Sequence, residues 1–117
     1  MRVNAIEPGA VVIVHCMNPK EKLWGVLLRL DPVGVTVRGM DVGSVEDWMR
    51  QESTDGDRSL APSTFLVPSH RLVRIDLDES SGAVPGFADR FRAMCGRPVE
   101  EALCGPPASP ATDLEVQ

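Results

Sequence analysis

The chain has 117 residues, 43% of them hydrophobic, which is enough for one domain with one ordinary core. Tyrosine is absent and only three Phe and two Trp occur, so the core must be mostly aliphatic and lacks the aromatic platforms on which single-stranded nucleic acids usually stack. The 17 acidic and 12 basic residues give a formal net charge of −5, which repels phosphate unless a local basic patch exists.

No segment of the chain predicts export or membrane insertion. The N-terminus lacks the long apolar stretch of a signal peptide, and no run approaches the roughly 18 to 20 apolar residues that cross a bilayer. The three cysteines, Cys16, Cys95 and Cys104, are too few and too scattered for a disulfide framework. We therefore expect a cytoplasmic protein with no membrane partner.

The clearest local signal is a β-hairpin over residues 23–40. Its turn, Asp-Pro-Val-Gly at 31–34, combines a proline that fixes φ with a glycine that permits the positive φ of a tight turn. Runs of β-branched residues between turn signals precede and follow it. The pattern predicts five strands, at 10–16, 22–30, 35–40, 64–67 and 70–77.

Two details of these strands carry further expectations. Gly25 interrupts the second strand, where a glycine indicates a bend, a bulge or a close backbone approach. Alternation in the fifth strand predicts that Val73, Ile75 and Leu77 face inward.

Helical signals fall in two places. Ser44 is predicted to cap a short helix over 44–51, with Glu46 and Asp47 in its first turn. A second helix is predicted at 86–95, followed by a short helical turn at 99–104. We expect residues 1–104 to form one domain and the Pro-rich, Ala-rich segment 105–117 to be a disordered tail.

The order of these elements resembles the small Sm-like β-barrel, including its bacterial Hfq-type members. Residues 25–35 (Gly-Val-Leu-Leu-Arg-Leu-Asp-Pro-Val-Gly-Val) are similar to the first Sm motif, although the asparagine that often follows its turn is missing. Residues 65–75 resemble the short-strand, corner, short-strand end, where a histidine, here His70, occupies the corner. Residues 24–51 also look like those of a group of short bacterial proteins without assigned function. The predicted fold is mainly β, a five-stranded Sm-like or SH3-like barrel with an inserted helix and a C-terminal helix.

The resemblance implies RNA binding as one possible function. His70 and Arg71 at the corner, together with Arg74 and Arg29, are the candidate contacts to phosphate or base edges. The alternative is that these arginines pair with acidic residues on a solvated face, which we favour because phosphate binding needs several uncompensated cations acting together. The acidic residues considered are Asp31, Asp41, Asp76 and Asp78.

Apolar residues on the helices suggest a second possible function, binding to proteins. Trp48 and Met49 on the inserted helix, and Phe87 and Phe91 on the C-terminal helix, either cover the chain's own sheet or form a contact surface. The preferred hypothesis is a non-catalytic Sm-like binding module that works through protein contacts and self-association, in a regulatory or adaptor role. RNA binding is the alternative.

Catalytic and metal signals are weak. His15 and Cys16 point to opposite faces of a strand, and Cys95 and Cys104 are nine residues apart, unlike the close pairs of zinc sites. No nucleophile elbow, phosphate loop or dinucleotide fingerprint occurs. We expect no enzyme activity, no cofactor and no metal.

Overall fold

A computed structural model describes residues 5–54 and 59–105 of the chain. A five-stranded antiparallel sheet, three α-helices and one 3₁₀ turn make up this part, so the mainly β class is confirmed. The strands are β1 (Val11–Cys16), β2 (Glu21–Asp31), β3 (Gly34–Asp41), β4 (Ser63–Pro68) and β5 (Leu72–Leu77), and the helices are α1 (Val42–Glu52), α2 (Phe87–Cys95) and α3 (Val99–Cys104). The 3₁₀ turn, Ser69–Arg71, joins β4 to β5.

The strand order across the sheet is β4-β3-β2-β1-β5. Every neighbouring pair is antiparallel. Strand β2 is the central strand, with its hairpin partner β3 on one side and β1 on the other. The strands β4 and β5 lie at the two edges, and within the described residues no ladder joins them. The sheet is therefore open, and the closed barrel of the sequence prediction is not seen.

One face of the sheet is buried without help from any helix. All five strands contribute aliphatic residues to it, and the most deeply buried of these, Val12, Val14, Leu27, Val35 and Val37, have no exposed surface. Since no described helix packs on this cluster, the sheet must cover the face by curving over it. Val35 and Val37, two residues apart on β3, both lie on this buried face.

The three helices cover part of the opposite face. Trp24 on β2 lies at the centre of this layer, 5.8 Å between ring centroids from Trp48 and 6.0 Å from Phe87. Trp48 stacks on Phe91, with centroids 5.2 Å apart and an interplanar angle of 17°. These contacts make the inserted helix and the C-terminal helices one layer on the sheet.

Two local predictions are wrong. Helix α1 begins at Val42 with Asp41 as its N-cap, so Ser44 is not the cap; its hydroxyl instead donates to the Asp41 carboxylate at 2.9 Å. Val73 is 59% exposed because the β1–β5 register shifts between His15 and Cys16, which adds a residue to β5 and turns Val73 out of the alternation.

Among the described residues no helix is both long enough and apolar enough to cross a membrane. Residues 106–117, most of the predicted tail, lie outside the described residues.

Candidate functional site

The corner between β4 and β5 holds Arg71, whose guanidinium is committed to the β1–β2 loop. Arg71 Nε donates to the Met17 carbonyl at 3.1 Å, and Nη2 donates to the Pro19 carbonyl at 2.9 Å and to the Glu21 carboxylate at 2.5 Å. The Met17 N–H returns a bond to the Arg71 carbonyl at 2.9 Å. Arg71 therefore holds the loop onto the corner, and its charge is matched by Glu21.

The other two candidate arginines also have acidic partners. Arg29, whose side chain is 75% exposed, lies 2.7 Å from the Asp31 carboxylate. Arg74 lies 2.9 Å from Asp76, and the same carboxylate oxygen accepts a hydrogen bond from the His15 ring at 2.8 Å. The hydrogen bond from Arg74, aided by His15, lowers the pKa of Asp76.

The Asp31 carboxylate has a structural task of its own in the β2–β3 turn. It accepts the Val33 backbone N–H at 2.9 Å, and this bond is the main reason why the pKa of Asp31 is lowered. Asp31 therefore closes the turn and also faces Arg29.

The predicted RNA contacts do not form one patch. Arg29 lies on β2 opposite Thr36, whereas Arg74 lies on β5 opposite His15, with β1 between the two strands. His70 is exposed in the corner. Each of the three arginines faces a carboxylate, so the arrangement offers few uncompensated cations for a phosphate chain.

The predicted protein-contact residues lie in the chain's own core. Trp48, Met49 and Phe91 are almost completely buried beneath α1 and α2, and Phe87 is half-buried against the same cluster. The Arg97 guanidinium lies 5.4 Å above the Phe91 ring, which covers it further. These residues hold the helical layer on the sheet and present little surface to a partner.

Strand β4 lies at one edge of the sheet, and β3 is its partner strand in the described part of the chain. The Ser69 N–H donates to the Val33 carbonyl at 2.9 Å, just beyond the Gly34–Pro68 pair. In an antiparallel ladder this geometry makes Gly34–Pro68 a pair that exchanges no bonds, and bonded and non-bonded pairs alternate from there. The ladder is regular from Gly34 to Gly39, so the N–H and C=O groups of Thr64 and Leu66 point away from β3.

The side chains on this edge are uncharged and partly apolar. Strand β4 reads Ser-Thr-Phe-Leu-Val-Pro, and Leu66 is 52% exposed on it. Proteins usually protect such an edge with charges, bulges or proline. Here Pro68 ends the strand, and no charge lies along it.

The opposite edge, on β5, is protected more heavily. It contains the bulge near Val73 and the charged pair Arg74 and Asp76. Beside it a groove of about 370 Å³ opens between the β1–β2 loop and Val73. The two edges of the sheet therefore differ in charge and regularity.

Asp78 connects the sheet to helix α2, a role different from the predicted pairing with an arginine. It is 6% exposed, and its carboxylate accepts the Trp24 indole N–H at 3.1 Å and the N–H groups of Phe87 and Ala88 at 2.8 and 2.7 Å. An acid nine residues before Phe87 was too far along the chain to be recognised as a partner of that helix.

Thiols and possible metal ligands do not come together in the described part of the chain. Cys16 is buried, and burial raises the pKa of its thiol, which keeps it protonated. In residues 5–54 and 59–105, no three side chains among His, Cys, Asp and Glu are grouped so that they could hold a metal ion.

Comparison of the chain with family models, curated proteins and solved structures found no match.

Proposed function

We propose that the protein is a non-catalytic binding module that acts through protein contacts, including contacts with a second copy of itself. The observation that carries this proposal is the pair of unpaired sheet edges, each with an exposed apolar side chain, Leu66 on β4 and Val73 on β5. A strand edge with free N–H and C=O groups can pair with a strand of another chain, and exposed side chains then select the partner.

The proposal includes a small open barrel of Sm-like or SH3-like type as the scaffold. The strand order β4-β3-β2-β1-β5, the single 3₁₀ turn between the edge strands and the aliphatic cluster shared by all five strands support it. In such a scaffold the two edges stay available after the core has formed.

A binding role also agrees with how the polar residues are used. His15 is held by Asp76, Arg71 by the β1–β2 loop, and the buried Asp78 by Trp24 and helix α2. These three side chains, of types that serve in catalysis or in phosphate binding elsewhere, are thus occupied by contacts that stabilise the fold.

The experiment is a comparison of the full chain with a variant in which both edges are charged, Leu66→Lys with Val73→Lys. Immobilised wild type should retain specific proteins from a native lysate, and the double variant should lose them. Ribonuclease treatment should leave this retention unchanged. Equal retention by both forms, or loss after ribonuclease treatment, would contradict the proposal.

Self-association has its own measurement. Light scattering over a range of concentrations should show a mass above that of the monomer, whereas a strict monomer throughout would remove self-association from the proposal. Binding to short U-rich and A-rich RNAs at low salt, where phosphate contacts are strongest, would favour the RNA alternative instead.

A further inference from the structure

We propose that two copies of the chain associate through their β4 edges, antiparallel about a two-fold axis at Phe65, so that two five-stranded sheets become one of ten strands. This inference rests on the proposed function and names its partner as a second copy. The proposed interface is isologous, which means that both copies use the same surface, the β4 edge.

The backbone groups of β4 match such a contact. Thr64 and Leu66 each direct one N–H and one C=O away from β3, as the position of the Ser69–Val33 bond requires. With the axis at Phe65, Thr64 of one copy lies opposite Leu66 of the second copy. The two pairs exchange about four hydrogen bonds in all, since each bonded pair of an antiparallel ladder exchanges two.

Two prolines select this register. Pro62 and Pro68 lie three residues before and three residues after Phe65, so they face each other at the next bonded position on each side of the axis. Neither can donate an N–H there, which ends the ladder after the two Thr64–Leu66 pairs. A shift by two residues would place the carbonyl of Thr64 or of Leu66 opposite a proline, which has no N–H to donate. The central register is thus the one that leaves none of the outward groups of Thr64 and Leu66 without a partner.

The charge distribution also favours β4 over the rest of the surface. Two chains of net charge −5 repel each other, and the β4 edge has no charged residue of its own to add to that repulsion. The exposed Leu66 side chain would lie against Thr64 of the second copy, on the face of the sheet beside the helices' layer.

Head-to-tail pairing of β4 with β5 is the competing arrangement. Strand β5 carries Arg74 and Asp76 and a bulge at Val73, all of which oppose regular pairing along its length. Such a contact also leaves one free edge at each end and continues into longer assemblies unless it closes into a ring. The two arrangements bring different residues together, so cross-linking separates them.

The cross-linking experiment mixes two forms with one new cysteine each, Thr64→Cys and Leu66→Cys, both made with the exposed Cys104 changed to Ser. The buried Cys16 and the half-buried Cys95 remain in both forms. Bonded antiparallel pairs have Cα atoms about 5.5 Å apart, within the range of a disulfide. We expect the mixture to form a covalent dimer under mild oxidation, at least about ten-fold more than Thr64→Cys alone. A matched mixture of Thr64→Cys with Val73→Cys tests β4–β5 pairing, and a dimer forming preferentially there would overturn the proposal.

A second experiment compares two single substitutions of exposed edge residues, Leu66→Lys and Val73→Lys, by sedimentation over a range of concentrations. Leu66→Lys should raise the dissociation constant of the dimer by at least about ten-fold because it puts a cation on each side of the axis, whereas Val73→Lys should change it less than about two-fold. Circular dichroism of both variants is the control, and it should show that they remain folded.

The outcomes also separate this inference from the proposed function. If the wild type associates and only Val73→Lys weakens it, β4 pairing is wrong and the protein-contact function stands. A wild type that stays monomeric at every concentration overturns the β4 dimer, and the lysate comparison then decides the proposed function independently.

Discussion

Asp78 shows how one residue joins the sheet to the helical layer. Among the described residues it is the only charged side chain classed as buried, and each of its carboxylate oxygens accepts at least one hydrogen bond. Its partners are the indole of Trp24 on β2 and the first N–H groups of α2. These are groups that would otherwise be buried without an acceptor, because the first turn of a helix has no intrahelical partners for them.

Replacing Asp78 should therefore destabilise the protein strongly. We expect Asp78→Ala to lower the free energy of unfolding by about 3 kcal/mol, since it leaves several buried donors without acceptors, and Asp78→Asn to lower it less because one acceptor remains. Urea denaturation measures both. Asp47→Ala is the control: Asp47 pairs with Arg50 on the exposed face of α1 and should change stability by less than about 1 kcal/mol. Equal effects at the two positions would refute this role of Asp78.

Asp76 should make stability depend on pH in the acid range. Its pKa is lowered in the folded protein, first by the hydrogen bond from Arg74 and then by His15. A lowered carboxylate pKa stabilises the fold above the ordinary value of 3.8 and loses that effect as the pH falls through the lower folded value.

The corresponding experiment follows urea midpoints between pH 5 and pH 2. Wild type should lose stability as the pH falls over this interval, and Asp76→Asn should lose less because it has no carboxylate there to protonate. The two forms should therefore converge towards pH 2. Curves that stay parallel would show that Asp76 contributes nothing to the acid dependence.

At the scale of elements, β2 and β3 approach unusually closely where Gly25 faces Gly39. A Cβ on Gly39 would lie 1.9 Å from the Trp24 carbonyl oxygen, and one on Gly25 would lie 2.2 Å from the Arg38 carbonyl oxygen. Both obstacles are backbone atoms, which cannot move aside without breaking the ladder. The two glycines therefore permit a close backbone approach, which is one of the three alternatives that the position of Gly25 in the sequence indicated.

Gly39→Ala should lower the free energy of unfolding by at least about 3 kcal/mol, because the new methyl group forces the two strands apart. Gly43→Ala is a matched control in helix α1, where a Cβ meets only the Asp41 carboxylate, at 3.0 Å. Since alanine favours helix over glycine, this control should be neutral or stabilise by up to about 1 kcal/mol. Thermal and urea unfolding of the two variants would contradict the close approach if both lost little stability.

The sequence predicted the elements well because their signals are local. Each predicted strand lies within two residues of the observed one, since alternation and turn residues mark both of its ends. The Ser44 cap was misplaced by only three residues, because Asp41 is an equally suitable capping residue. The other misplaced details depend on distant parts of the chain. The bulge that exposes Val73 arises from pairing with β1, and the link from Asp78 to Trp24 spans 54 residues. No local pattern reports such contacts.

The candidate-site residues show the same difference between features that local sequence predicts and features that depend on tertiary packing. Nothing in the local sequence separates an arginine that holds a loop, such as Arg71, from one that is free to meet phosphate. Likewise, the helical stripe containing Trp48 predicted an apolar face correctly, but only the tertiary packing shows that its own sheet covers it.

At the scale of the whole molecule, the uneven protection of the two sheet edges agrees with a protein whose contacts are made by backbone pairing. The net charge of −5 acts over the full surface, whereas β4 has no charged residue along it. In the proposed β4 dimer, long-range repulsion opposes the approach of two copies, whereas short-range hydrogen bonds and the Leu66 contact favour association. Only the first of these effects responds strongly to salt.

This balance predicts the direction of the salt effect. The screening length falls from about 30 Å at 0.01 M salt to about 4 Å at 0.5 M, so self-association should tighten several-fold over this range as repulsion between copies is screened. Sedimentation at neutral pH measures the change. The same titration near pH 4.9, the isoelectric point calculated from the sequence, is the control, because the net charge is then close to zero and the effect should vanish.

Binding that depends on phosphate contacts would weaken with salt instead, since such contacts release counterions. A self-association that weakens steeply with salt would thus indicate ion pairs across the interface. Strand β4 has no charged residue of its own to form them, and Arg38, whose guanidinium donates to the Thr64 hydroxyl at 3.4 Å, would be the residue to test.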